Sequence, residues 1–195
     1  MRARWSLLVT GNLVTFKEVD LKNKPKNLIR ISPKGTVPVL ITNSGEVIEE
    51  SIDIMKWCLC KSDPNDILRT NNHIEERELY KIIEENDITF KYHLDRFKYH
   101  SRDQTIDPSL EKLRALQILV SWNNKIKCNS TYRQGGWLIG NKQSLADWAI
   151  WPFVRQFRIV NKEDFDKEYK LKELKEWLKE FTENELFKQL MKKRK

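Results

Sequence analysis

The stretch SPKGTVPVLITNSGEVIEES, Ser32 to Ser51, decides the fold. It turns at Lys34-Gly35, enters a short β-run through Val37-Pro38, turns again at Asn43-Ser44-Gly45 and closes on Glu50-Ser51. VPVLIT and EVIE read as two arms of a hairpin, because β-branched and apolar residues flank a Gly-bearing turn. A proline opening a strand is tolerated where its missing N–H faces away from the ladder. A cis Val37-Pro38 bond would aim the Val37 N–H and C=O outward, ready to pair with an extended peptide, whereas trans is the commoner state of an X-Pro bond. Both isomers stay open at this point.

Ile52, Ile54, Met55 and Leu59 follow at helical spacing, so a helix is expected from Ser51 to about Lys61. Ser51 then reads as its N-cap, with free backbone donors beside it. Donors and dipole at a helix start attract a carboxylate, while Glu50 can accept from an ammonium. Together the two residues suit an amino-acid head group, although a cap alone is the plainer reading.

Upstream, Trp5, Leu8 and Val9 predict a helix over 1–9 that stops at Gly11-Asn12, LVTFKEVDL predicts a strand, and KPKNLIRIS a short helix with Pro25 near its start. Downstream, Asp63, Pro64 and Asn65 break the pattern, and everything beyond reads as helix. Periodic segments run over about 73–100, 108–128, 144–159 and 171–191. The expected domains are an α/β unit over 1–61, a linker over 62–72 and an all-helical unit over 73–195.

The chain has 195 residues, 39% of them hydrophobic, with seven Trp and eight Phe, enough for a sizeable core. No apolar run reaches the roughly 18 residues of a membrane span, and WSLLV is too short for a signal-peptide core, so a cytoplasmic protein is expected. Its net charge of +8 could steer anions, but acidic and basic residues interleave, and only the tail MKKRK forms a like-charge block. Nucleic acid is therefore not an expected partner.

Cys58, Cys60 and Cys128 lack metal-ligand spacing and read as buried free thiols. His93 and His100 stand two helical turns apart, too far to share a metal, so all three histidines read as surface residues and no metal is expected. Cys58 falls late in its helix, where the dipole raises a thiol pKa, and it makes a poor nucleophile. Trp148, Trp151, Phe153 and Phe157 read as core.

The order of strand, helix, Val-Pro, hairpin, Glu-Ser and helix over EVDLKNKPKNLIRISPKGTVPVLITNSGEVIEESIDIMKWCL resembles the thioredoxin-like N-terminal domain of cytosolic glutathione S-transferases, particularly bacterial, glutaredoxin-like and omega-like members. GNKQSLADWAIWPFVRQF is similar to the family's helical-domain motif, with Ser144 and Asp147 as a capping box. The box has its own physical basis, since an N-cap hydroxyl and an acidic N3 residue satisfy each other's orphan donors. The implied fold class is an α/β thioredoxin-like N-terminal domain followed by an all-α C-terminal domain of the transferase type.

The resemblance implies that Val37, before Pro38, pairs with the cysteinyl part of glutathione. It implies that Glu50 and Ser51 hold the γ-glutamyl end and that Lys34 approaches the glycine carboxylate. Glutathione is thus the expected co-substrate, an electrophile or a mixed disulfide its expected target, and a homodimer the expected assembly. Family members begin with a strand and a loop bearing a catalytic Cys, Ser or Tyr, ahead of a helix that MRARWSLL resembles. Met1 already falls inside that helix, so the expectation is a chain without its first strand and without an assignable catalytic residue. In the family that strand lies between those resembling LVTFKEV and VPVLIT, and losing it strands backbone groups at about 1–3 kcal/mol each. Arg2 and Arg4 supply positive charge nearby but no fixed donor. Two functions follow: a glutathione-dependent transferase or thiol reductase, or a non-catalytic transferase-like binding module.

Overall fold

A computed structural model describes residues 1–130 and 136–192, so the last three residues of the basic tail lie outside the described residues. The chain divides into two compact units, 1–65 with 185–195, and 66–184. The last helix thus groups with the first unit, and the division follows Asn65.

The first unit opens with α1, Arg2–Val9, followed by α2, Lys26–Ile31. Strands β1, Leu40–Ile41, and β2, Val47–Ile48, pair antiparallel with Leu40 opposite Ile48 and Ile41 opposite Val47. Helix α3, Ser51–Lys61, follows, and α10, Glu185–Met191, packs on α1. The hairpin forms as the sequence predicts. Thr42 accepts from Gly45 N–H and donates to Glu46 C=O, at 3.0 and 2.9 Å, and Gly45 sits at a φ of 85°, which an L side chain rarely adopts.

The expected strand over LVTFKEVDL does not form. The described sheet has two strands only, and residues 13–19 join neither. Burial still alternates residue by residue from Asn12 to Phe16, and Val14 and Phe16 pack on Ala3, Leu7, Ile54 and Cys58. The side chains obey a strand's period of two, but a strand also needs a neighbour for its N–H and C=O groups. Helix α1 differs in detail too: Ala3, Trp5 and Leu7 are buried, while Leu8 and Val9 are half-buried.

The second unit contains α4, His73–Glu84, and α5, Lys91–Tyr99, joined by a π-helical turn over Glu85–Phe90. Then come α6, Pro108–Asn129; α7, Leu145–Val160; α8, Lys162–Lys167; and α9, Lys172–Thr182. Asp107 caps α6, accepting from Ser109 and Leu110 N–H at 2.8 and 3.3 Å, with Pro108 at the first helical position. The expected helix over 171–191 breaks at Glu183-Asn184 into α9 and α10. The core centres on α7, where Trp151, Val154 and Phe157 are fully buried; Trp151 stacks on Phe181, centroids 5.5 Å apart, and Phe157 meets Phe90 at 6.1 Å. Among the described residues no helix is long and apolar enough to cross a membrane.

Ile67, Leu68 and Arg69, in the stretch read as linker, are buried. Arg69 Nη2 donates to the carbonyls of Lys142 and Gln143 at 2.8 and 3.0 Å, and its Nε pairs with Glu75 at 2.9 Å. Leu145 N–H donates to Ile67 C=O at 2.9 Å, so this stretch is stitched to the start of α7.

Candidate functional site

Within the first unit, the Val37-Pro38 bond is cis and leads directly into β1. Val37 is largely exposed. The turn before it needs Gly35, whose φ is 60° and where an added Cβ would meet Ile29 Cδ1 at 2.7 Å. Glu50 and Ser51 meet the start of α3, but one step from the expected arrangement. Glu50 occupies the N-cap and Ser51 is the first helical residue, because Glu50 is extended at φ −99° and ψ 137° and its C=O accepts from Ile54 N–H at 3.0 Å. The Glu50 side chain makes no capping hydrogen bond to α3. The first-turn N–H groups of this eleven-residue helix thus get no acceptor from their N-cap side chain, and the helix dipole favours an anion there.

Lys34 Nζ pairs with Glu50 Oε1 at 3.2 Å, with side chains 58% and 59% exposed. The hydrogen bond to Glu50, then the charges of Glu50 and Glu49, hold the Lys34 ammonium above its ordinary pKa. Exposed pairs of this kind contribute little net stability, so both partners can exchange for a ligand's charges at small cost. Buried Ser32 donates its hydroxyl to Glu49, which ties the start of this segment to its end and was not expected from the sequence. A long-range side-chain pair of this kind leaves no local signature.

The thiols differ from expectation. Cys58 is buried, but Cys60 and Cys128 are exposed, as the helix rotation past Leu59 and the end of α6 dictate. Burial pushes the Cys58 thiol up, against hydrogen bonds with Ser6 and Thr10. A protonated, enclosed thiol is not a nucleophile. Arg4 lies 3.7 Å from Glu18, and its Nε and Nη2 are buried without a hydrogen-bond partner; Arg2 is itself buried.

In the second unit Ser144 and Asp147 form a capping box. Asp147 Oδ2 accepts from Ser144 N–H and Oγ–H at 2.8 and 2.7 Å, while Oδ1 accepts from Leu138 N–H and the Trp177 indole N–H at 2.9 and 2.8 Å. Burial raises the Asp147 carboxyl pKa, and the four donors oppose that rise. This is a structural knot joining α7, α9 and the loop at Leu138.

His73 and His100 are exposed, but His93 is not a surface residue: its Nδ1 lies 2.6 Å from Glu111 Oε2. Arg96 Nε donates to Glu111 Oε1 at 2.9 Å. Burial would raise the Glu111 carboxyl, but hydrogen bonds from His93 and Arg96 outweigh it and hold the group below the usual glutamate range. The pairing links α5 to α6, and only the folded crossing of those helices reveals it. No metal-holding cluster of His, Cys, Asp or Glu occurs among the described residues.

Residues 1–66 match the family model of the glutathione S-transferase N-terminal domain, and residues 93–194, more than half of the chain, match that of the C-terminal domain. Among curated proteins none matches the sequence. Among solved structures, Ure2p in complex with glutathione is similar at a TM-score of 0.80 and 14% identity, over 97% of this chain and 92% of that one. Glutathione transferase Omega 3C from Trametes versicolor is similar at 0.78 and 17%, over 100% and 84%. The ternary complex of BphK, a bacterial glutathione S-transferase, is similar at 0.76 and 15%, over 96% and 91%. These identities carry the fold: a thioredoxin-like N-terminal domain and a helical C-terminal domain. With both family models matched in chain order, this chain belongs to the glutathione S-transferase family.

Proposed function

We propose that this chain binds glutathione through Lys34, Val37, Pro38, Glu50 and Ser51. The observation that carries the reading is the uncapped start of α3 with the Lys34–Glu50 pair beside it. In this reading the γ-glutamyl carboxylate takes the free N–H groups and hydroxyl at Ser51, and Glu50 turns from Lys34 to the γ-glutamyl ammonium. Lys34 then approaches the glycine carboxylate, and Val37 pairs through its main chain with the cysteinyl residue. A zwitterionic peptide with a second carboxylate thus replaces one exposed ion pair with complementary charges of its own.

The chemistry is attack by the glutathione thiolate. On an electrophile a C–S bond forms and the leaving group departs with the bonding pair. On a mixed disulfide with glutathione, the thiolate attacks the glutathionyl sulfur, so that glutathione disulfide forms as the substrate's own sulfur leaves as a thiolate. The proposed setting is the cytoplasm, and the proposed assembly is a homodimer. A second reading, a transferase-like module that binds without catalysis, is favoured by Cys58: the thiol nearest in sequence to Ser51 is buried and held protonated.

Isothermal titration calorimetry with glutathione tests the binding. Ser51→Ala and Glu50→Ala are each expected to weaken it by about five- to thirtyfold, the equivalent of about 1–2 kcal/mol of charge-assisted hydrogen bonding. Absence of binding to the folded wild-type chain, or binding that neither substitution weakens, contradicts the proposal. With binding established, turnover of 1-chloro-2,4-dinitrobenzene or of a glutathione mixed disulfide separates the enzyme from the module.

A further inference from the structure

The outward face of α5, with the π-helical turn before it and the 3-10 turn His100–Arg102 after it, carries an aromatic and cationic stripe that the proposed site does not use. Leu94 is fully buried and Phe97 lies 5.9 Å from Phe157, which fixes the inward face. On the opposite side Ile88, Tyr92 and Tyr99 are 64%, 53% and 37% exposed. At 1.5 Å per residue this line, continued to Arg102, extends about 20 Å.

Cations accompany the rings. Arg96 lies 5.2 Å from the Tyr92 centroid, while Lys98 and Arg102 approach Tyr99 at 4.7 and 4.3 Å. Lys91 pairs with Asp95 at 3.1 Å, and Arg96 is held by Glu111. For Lys98 and Arg102, by contrast, no carboxylate lies within ion-pair distance among the described residues. Asp95 and Asp103 stand nearby in sequence, but neither forms an ion pair with Lys98 or Arg102 among the described residues, which leaves these two cations on one half-exposed ring.

From this juxtaposition we propose that the α5 stripe binds single-stranded nucleic acid: Lys98 and Arg102 swing from the Tyr99 ring to phosphates, and a base takes their place on it. Cations outside any ion pair call for an anionic partner, and exposed rings call for flat ones. Unpaired bases on a phosphate backbone supply both, whereas a duplex hides its base faces and an acidic peptide has none. The contact is sequence-tolerant, because stacking and phosphate neutralisation read no base edge.

Fluorescence anisotropy with a fluorescein-labelled dT12 oligonucleotide, titrated with the full chain from 20 to 200 mM salt, tests this. Two phosphate contacts predict a slope of log K against log salt of about −1.4. The Lys98→Gln/Arg102→Gln variant is expected to abolish most of that slope. Tyr99→Ala is expected to weaken binding about fivefold or more with the slope unchanged, since it removes stacking and not charge. All three positions are exposed or half-exposed, and glutathione calorimetry and thermal melting on the same variants, both expected to be unaltered, verify the fold. No binding at 20 mM salt, binding indifferent to these substitutions, or equal displacement by polyglutamate and by unlabelled dT12 would each overturn the proposal. Polyglutamate competition would identify an acidic protein as the partner instead.

Discussion

Replacing Asp147 with alanine withdraws one acceptor group from four donors at once. The Ser144 hydroxyl can turn elsewhere, but Leu138 N–H, Ser144 N–H and the Trp177 indole N–H, at 2.8–2.9 Å from the carboxylate, cannot. A stranded buried donor costs about 1–3 kcal/mol. Three donors around one cavity share their relaxation, so the expected loss is about 3–5 kcal/mol and not the full sum. That is a large fraction of the roughly 5–15 kcal/mol that holds a typical domain folded. Urea denaturation followed by far-UV circular dichroism measures it. Asp147→Asn should cost less, because the amide keeps one accepting oxygen while its NH2 opposes Ser144 N–H. Trp177→Phe should cost less in the Asp147→Ala background than in wild type, since its donor is then already unpaired. A loss below about 1 kcal/mol for Asp147→Ala, or strict additivity in that cycle, would mean that the carboxylate does not hold these donors as described.

Glu111 supplies a pH test. Its folded pKa is depressed, so its contribution to stability is complete above the unfolded value, near 4.5, and is lost as pH falls through the folded value. Wild-type melting temperature should therefore drop on acidification below about 4.5, and Glu111→Gln should flatten that part of the profile while lowering stability at neutral pH. Phe90→Ala removes a fully buried ring packed 5.0 Å from Trp122, with an expected loss of about 3–5 kcal/mol by denaturant titration. Gly136→Ala would set a Cβ 2.1 Å from the Ile126 carbonyl oxygen; because backbone must move, its melting temperature should fall by several degrees, whereas at Gly11, with nothing near its Cβ, the strain of φ 67° is the only penalty.

Ser32 to Ser51 was legible because its information is local: Gly35 and Gly45 mark turns by their positive φ, alternation marks the hairpin, and the amphipathic run marks α3. The box of Ser144 and Asp147 was legible for the same reason, being three residues apart. LVTFKEVDL misled because alternation fixes which way side chains point but not whether a neighbouring strand receives the backbone. Glu111 with His93, Asp147 with Trp177, and Arg69 with Lys142 could not be read, since each pairs residues 18 to 73 positions apart that only packing brings together. At the candidate site the residue types were readable, but not the Lys34–Glu50 pairing or the shift of the N-cap from Ser51 to Glu50.

The proposed glutathione site is tested most directly by a 1H–15N correlation spectrum of the labelled chain titrated with glutathione. Saturable shifts are expected at the amides of Lys34, Val37, Glu50, Ser51 and Ile52, with α6 and α9 unmoved. A well-dispersed spectrum that glutathione leaves unchanged, or shifts confined to the helical unit, would contradict the proposed site.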